Sequence, residues 1–446
     1  MNTVTQNACK QCAPLGASLV FKGVENTICI LHGSQGCATY IRRYLISHFR
    51  EPIDIASSSF TEETAIFGGH ENLKKSITNV ISSYKPECIG IASTCLSETI
   101  GEDTKAIINE YFREHESGKL PEIICVSTPS YSGTRAEGFN KTVLACVKHF
   151  AGSIQTSSSA AVFPGLISPA DIRYLKTLLS PFFKSPAVFP DYSDTLDGGL
   201  WNIYHPIPSG GTAVETLKKM GYNKAVIEFS STMKKEQSAG FYLNKNFKVP
   251  YERAHIPIGV NLTDKFIELL KEITGREIPE RIKKERSRVI DLYTDGHKYI
   301  FGKRVLLYGD EDLITGLFSF CQEVGLFPVT VCSGNKSEEL SNSINGLKDS
   351  SLDFETVVLD GVDFDEMEEA VYGMDIDLMI GNSKGYKLSK KLNVPLIRAG
   401  FPIHDRIGAG HITLIGYFGA LQLFESIVNK IIELKQKSDN ILYGYI

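Results

Sequence analysis

Three cysteines, Cys12, Cys37 and Cys95, stand in the segments CAPLGA, HGSQGC and STCLSET, among the Gly, Ser, Thr and Pro residues that mark turns and loop ends. A thiolate is a soft ligand, so three loop thiols that converge can hold a soft metal or an inorganic cluster. Six of the ten cysteines read differently: Cys29, Cys88, Cys125, Cys146, Cys321 and Cys332 lie in apolar runs such as NTICIL, PECIGIA, EIICVS and LFSFCQEVGL. There a thiol behaves as a small hydrophobe of the core. Cys9 and Cys12 make a C-x-x-C, but no second C-x-x-C or H-x-x-x-H supplies the paired spacing of a structural zinc site. A thioredoxin-like redox pair follows a strand and opens a helix, whereas this one lies in a polar N-terminal stretch. Soft thiolates without zinc spacing suit an iron-sulfur cluster. Such clusters commonly take four cysteines, so three imply that another residue or another chain completes the set.

The elements that must position these thiols are those of an α/β protein. Short apolar runs alternate with longer amphipathic stretches, the pattern of βαβ units and parallel sheets. Residues 27–31 and 87–93 read as buried strands, and Cys37 and Cys95 follow their carboxyl ends. In open parallel sheets ligands gather at such ends. Gly33 and Gly36, in the loop between the first strand and Cys37, let the backbone approach a bulky ligand without a Cβ clash. A third loop, STPSYSGTRAEG, follows a strand at 123–126 and offers Ser130 as an oxygen ligand.

A second group of strands is expected at 160–163, 187–189 and 225–229. Ser168, Pro169 and Asp171 form a helix start, and Gly275 is a left-handed cap closing the helix that begins near Asn261. The charged stretch 276–288 reads as an exposed or crossing helix. A third group has strands at 304–308, 356–359, 377–380 and 395–398, the first running into Gly309 and Asp310 at a strand-to-helix turn. A chain of 446 residues exceeds one ordinary core. Three Rossmann-like α/β domains with parallel sheets are therefore expected: 1–155 with the cluster cysteines, 156–289, and 290–446.

Composition bounds the function. The chain is 42% hydrophobic and 22% charged, and 47 basic against 52 acidic residues give a net charge of -5, which speaks against a nucleic-acid partner. The opening MNTVTQNACK lacks the features of a secretory signal, and no apolar run approaches the ~20 residues of a membrane span. A cytoplasmic protein without a membrane partner is expected. No GxxxxGK[ST] occurs, so any ATP hydrolysis falls to a separate protein.

CAPLGASLVFKG, LHGSQGCATYIRRYLISHFREP, SSSFTEETAIFGGHENL, STCLSETIGED and STPSYSGTRAEGF together resemble the β-type subunits of the nitrogenase component 1 family. The resemblance continues through FPGLISPADI, PDYSDTLDG, PIGVNLTDKF and IRAGFPIHDRIG, and so covers nearly the whole chain. It implies a paralogous α-type partner in a heterotetramer, an ATP-dependent iron-protein reductase, and an iron-sulfur cluster shared with the partner, of [4Fe-4S] or P-cluster type. Cys12, Cys37 and Cys95 match the family's cluster-ligating cysteines of the β side, and Ser130 matches an additional serine ligand of some catalytic members. Two family roles compete. NACKQCAPLGA, IRRYLISHFREPIDIASS and the short N-terminus before Cys9 look more like the NifN-type scaffold subunit on which the iron-molybdenum cofactor matures. The retention of all three cysteines and Ser130 is compatible with a catalytic β subunit of nitrogenase, or of a related reductase acting on another substrate. Where catalytic β subunits typically carry Ser-His, this chain has Thr134 and Arg135.

Other residues have plainer readings beside functional ones. His32 could tune a cluster through a hydrogen bond or simply order its loop. Arg42, Arg43, His48 and Arg50 could dock an acidic partner or form a solvated helix face. Asp197, Gly198, Gly210, Gly211 and Thr212 read as turn formers, and Arg398, Phe401, Asp405 and Arg406 as a structural ion-pair region.

Overall fold

The structure is a computed structural model that describes residues 9–115, 120–152 and 159–438. Its thirteen strands form three sheets, all paired in parallel. The first contains β1 (Thr27–His32), β2 (Ile55–Ser57), β3 (Cys88–Ser93) and β4 (Glu122–Val126), in the order β2-β1-β3-β4. The second contains β5 (Ala160–Phe163), β6 (Ala187–Val188), β7 (Ala225–Phe229) and β8 (Tyr251–Ala254), ordered β6-β5-β7-β8. The third contains β9 (Arg304–Gly309), β10 (Phe327–Ser333), β11 (Val357–Leu359), β12 (Leu378–Gly381) and β13 (Leu396–Arg398), ordered β11-β10-β9-β12-β13. Each order reverses once, between β1 and β3, β5 and β7, and β9 and β12. Such reversals open the crevices where doubly wound sheets bind ligands.

The expected α/β architecture with three parallel sheets is therefore present. β1 and β3 are buried along their whole length, which is why they read as unbroken apolar runs. Gly275 is the left-handed cap of the helix Gly259–Thr274 (φ 68°), and Ser168 accepts from the Asp171 amide in a capping box. The charged stretch begins a crossing helix, Glu280–Ile300, against whose Gly296 the Phe424 ring of the helix Gly416–Ser438 packs. Residue 289 lies within that helix, and the junction at 155 lies outside the described residues. Three strands were not expected. β2 has only three residues; β8 is a part-exposed sheet edge reading YERA; β10 carries Pro328, which removes a ladder donor, and its pairing with β9 slips between Phe327 and Thr330.

The helix Ala13–Lys22 sets the position of Cys12. It is buried on every side and crosses the helix Arg135–Phe150. Gly16 and Gly138 permit the close crossing: a Cβ on Gly16 would come within 2.6 Å of the Phe139 amide nitrogen, and one on Gly138 within 2.7 Å of the Ala13 carbonyl carbon.

Contacts from the third sheet's loops reach the first unit through His48. Its Nδ1 accepts a hydrogen bond from the Ile403 amide at 2.8 Å, and its ring packs on Phe49 and Phe401. Burial, aided by the positive charge of His404 and Arg135, lowers its pKa to about 3. The unfolded chain thus binds this proton near pH 6.5 while the folded chain refuses it. The stabilisation is complete above about pH 6.5 and declines as pH falls toward 3, by about 1.4 kcal/mol per pH unit. Urea midpoints should fall between pH 7.5 and 5.5, and His48→Asn, which retains an acceptor but does not titrate, should reduce that fall.

Candidate functional site

Cys12 is the N-cap of the helix Ala13–Lys22, with Pro14 in the first turn. Cys37 lies in the first turn of the helix Gln35–Phe49, which Ser34 caps by accepting from the Gly36 amide. Both occupy helix starts, where unpaired amides carry partial positive charge. Cys95 opens the helix Cys95–Thr99 directly after β3. Cys37 and Cys95 therefore follow the carboxyl ends of the two strands that flank the first sheet's reversal. Gly33 makes this junction compact, because a Cβ there would come within 3.0 Å of Thr94 Cβ. Thr94 in turn donates to the His32 carbonyl through both its amide, at 3.1 Å, and its hydroxyl, at 3.0 Å.

The three thiols are neighbours. Burial raises the Cys37 pKa, and the charges of Cys12 and Cys95 raise it further. Thiols that repel one another as anions are stabilised together by a cation or cluster that neutralises them. Ser130 joins the group: its amide donates to Cys95 Sγ at 3.2 Å, and its hydroxyl accepts from the Ala13 amide at 3.3 Å. All four side chains are half-buried. Among the described residues no three His, Cys, Asp or Glu side chains converge tightly enough for a single metal ion.

Cys9 does not belong to this group. It is buried in the third sheet's core with Cys332 and Tyr308, and burial together with the charge of Asp310 pushes its thiol up to about 12. The two halves of the C-x-x-C thus face different environments. Of the six cysteines read as core, five are buried and Cys125 is half-buried.

His32 orders its surroundings. It is fully buried; Nε2 lies 3.3 Å from Glu102 Oε2 and Nδ1 lies 3.0 Å from Ser58 Oγ, so both ring nitrogens are occupied. A carboxylate only accepts, which places the ring proton on Nε2. The basic run after Cys37 is not one surface, since His48 is buried, Arg42 Nε donates to the Ile53 carbonyl at 3.0 Å and Arg50 donates to the His404 carbonyl at 3.2 Å. Asp197 pairs with Arg173 and, at 2.9 Å, with His411, while Thr212 Oγ1 donates to the Val188 carbonyl at 2.6 Å. Arg398 grips Asp405 with two nitrogens, at 2.9 and 2.6 Å. These are structural roles.

Two features escaped the sequence reading. Tyr40 stands one helical turn after Cys37, with its ring 4.6 Å from that of Tyr44, and its phenol is raised by burial, by Tyr44 and by the charge of Cys12. The i, i+3 spacing from Cys37 was the available signal. Arg135 is buried, pairs with Asp310, and lies with its guanidinium carbon 4.7 Å from the Phe401 ring centroid. It therefore points to the third sheet's loops.

The chain thus combines three parallel sheets with half-buried cysteines in the loops at the reversal point of the first. The family model for nitrogenase component 1 type oxidoreductases matches residues 12–432, and the chain belongs to this family. It is 36% identical to the nitrogenase molybdenum-iron protein beta chain of Clostridium pasteurianum over 432 residues, covering 96% of this chain and 93% of that one. It is 33% identical to the corresponding chain of Azotobacter vinelandii, covering 96% and 84%. A chain of the solved structure of nitrogenase Cp1 at pH 6.5 superposes with a TM-score of 0.95 at 34% identity, covering 100% of this chain and 97% of that chain. A second Cp1 structure, at pH 5, matches at a TM-score of 0.70 and 14% identity, a likeness of fold. No helix among the described residues is long and apolar enough to cross a membrane.

Proposed function

We propose that this chain is a β-type subunit of a nitrogenase-like component 1 complex, and that Cys12, Cys37 and Cys95 hold an iron-sulfur cluster shared with a paralogous α-type subunit. The observation that carries this reading is the grouping of three half-buried cysteines around Ser130, whose amide donates to the Cys95 sulfur and whose hydroxyl accepts from the residue after Cys12. Half-burial leaves a face for the partner's ligands. When bound, the cluster supplies one-electron transfer, fed by an ATP-dependent iron-protein reductase. The chain's own part is to aim three sulfurs, to shield them on the side of β1 and β3, and to tune Cys95 through the Ser130 amide, since hydrogen bonds to sulfur adjust such centres. Ser130 Oγ is the candidate additional ligand. Its bond from Ala13 is long for N–H···O and is cheaply exchanged.

Within this reading the complex is the scaffold for iron-molybdenum cofactor maturation, a heterotetramer that works in the cytoplasm. Thr134 and Arg135 favour the scaffold, because Arg135 is committed to Asp310 and Phe401 and supplies no imidazole beside the thiols. The likeness to molybdenum-iron protein beta chains favours a second reading, the catalytic β subunit. Anaerobic co-purification with the partner separates them. Iron and sulfide without acetylene or dinitrogen reduction, together with activation of a cofactor-deficient nitrogenase, identifies the scaffold; turnover with the reductase identifies the catalytic subunit. A colourless, iron-free complex rejects both.

A further inference from the structure

A cavity of about 470 Å³, with no cysteine in its lining, lies where the carboxyl ends of β5 and β7 face those of β9, β10 and β11. Its size falls within the range of small-ligand sites, and its place at the second sheet's reversal is where doubly wound sheets bind ligands. Seven carboxyl side chains but only two lysines, Lys234 and Lys336, line it.

Most of the inner carboxyls are engaged within the chain. Asp310 pairs with Arg135, Asp312 accepts from the Ser231 and Thr232 amides at 2.6 and 3.0 Å, Asp360 from the Ser337 amide at 2.7 Å, and Glu137 from the Thr134 amide at 2.8 Å. Glu311 differs. It is only 7% exposed, and its Oε1 has no hydrogen-bond partner, although Thr232 and Asn335 flank the carboxyl. A buried acceptor left unmade costs about 1–3 kcal/mol, so a donor brought into the cavity would recover that loss. The exposed Glu338 and Glu339 stand at the rim.

We propose that this cavity binds a small linear organic polycation, a di- or triamine, with one ammonium on Glu311 and the other charge toward Glu338 and Glu339. A single metal ion fits less well, because no three carboxyls among the described residues converge on one point. Acidic groups from separate loops, Glu311 on the wall and Glu338 and Glu339 at the rim, match separated cationic centres. The acidic balance attracts cations, and an ammonium supplies an N–H donor to Glu311 Oε1. Nothing in this inference depends on the cluster or on the identity of the partner subunit.

The ligand-free Glu311 carboxyl is pushed up to about 8, by burial first and then by the charge of Asp312, with Asp310 adding to it and Asn335 and Thr232 opposing. An ammonium opposite Glu311 draws its proton off. Binding at pH 7 therefore releases protons, and affinity rises with pH until it flattens above about 8. Lys234 and Lys336 face the same space from other elements, and Arg135 lines the adjoining cavity and pairs with Asp310.

The test is calorimetric titration of the purified full chain, with its partner, using putrescine, spermidine, Mg²⁺ and inorganic phosphate as separate probes. Saturable binding of an amine, proton release at pH 7, and a loss of about tenfold or more in Glu311→Gln are expected. Glu339→Gln, on the exposed rim, should weaken spermidine by a few fold without touching the buried wall. Absence of amine binding, equal or tighter binding of Mg²⁺, or amine affinity unchanged in both variants would overturn the proposal.

Discussion

Replacing Cys37 with Ala should strip the co-purified complex of most of its cluster. Burial and the two neighbouring sulfurs oppose ionisation of Cys37, so this thiol gains when iron takes the place of its proton. Removing it leaves two thiols from this chain on the cluster. Outer-shell changes alone typically cost metal sites ~10–100-fold in affinity, and the loss of a direct ligand should exceed that. The fold should survive, because the side chain is half-buried at the margin of the core and its truncation removes one sulfur atom rather than a large apolar group. The expected result is a folded complex with thermal stability near that of the parent and sharply reduced iron, sulfide and visible absorption. Cys9→Ala is the matched control: it should cost stability as a core truncation and leave iron unchanged. Full iron content in Cys37→Ala would remove this residue from the ligand set, and iron loss in Cys9→Ala would reinstate the C-x-x-C pair.

That control marks a limit of sequence reading. Cys9 and Cys12 are indistinguishable by composition, since both lie in one polar stretch with the spacing of a metal pair. What separates them is tertiary: Gly334, just beyond the carboxyl end of β10, leaves room for the chain at Cys9 and Lys10, and three residues later the helix Ala13–Lys22 turns into the first unit. Local patterns did place Cys37 and Cys95 beyond strand ends, because a strand, a small-residue loop and a cysteine lie consecutively in the sequence. The same logic exposed β9 and its Gly309-Asp310 turn. It could not show that this turn meets the loops after β5 and β7 to enclose a cavity, or that Glu311 would be buried there. Such facts depend on how sheets from distant parts of the chain face each other. Arg135 illustrates the point: beside Thr134 it reads as a polar loop residue, yet its guanidinium is buried against Asp310 and Phe401, far along the chain.

The crossing of the helices Ala13–Lys22 and Arg135–Phe150 connects stability to the site, and Gly138→Ala should damage both. Helix propensity alone favours the substitution by about 1 kcal/mol. Packing opposes it more strongly. The new Cβ would come within 2.7 Å of the Ala13 carbonyl carbon and 2.8 Å of its Cα, and both belong to backbone that cannot rotate away. Overpacking of this kind typically costs ~1–3 kcal/mol, more when the neighbour is rigid, so a net loss of about 2 kcal/mol is expected. Gly346→Ala supplies the opposite sign: it lies in the helix Glu338–Leu347 with nothing within 4 Å of its Cβ, and it should stabilise by up to about 1 kcal/mol. Denaturant titrations of the two variants test the packing argument directly. Relief of the clash at Gly138 must move the start of the helix Ala13–Lys22, and Cys12 is its N-cap. The Gly138→Ala complex should therefore also lose iron under conditions where it remains folded. Retained iron alongside lost stability would show that Cys12 reaches its place independently of the helix crossing.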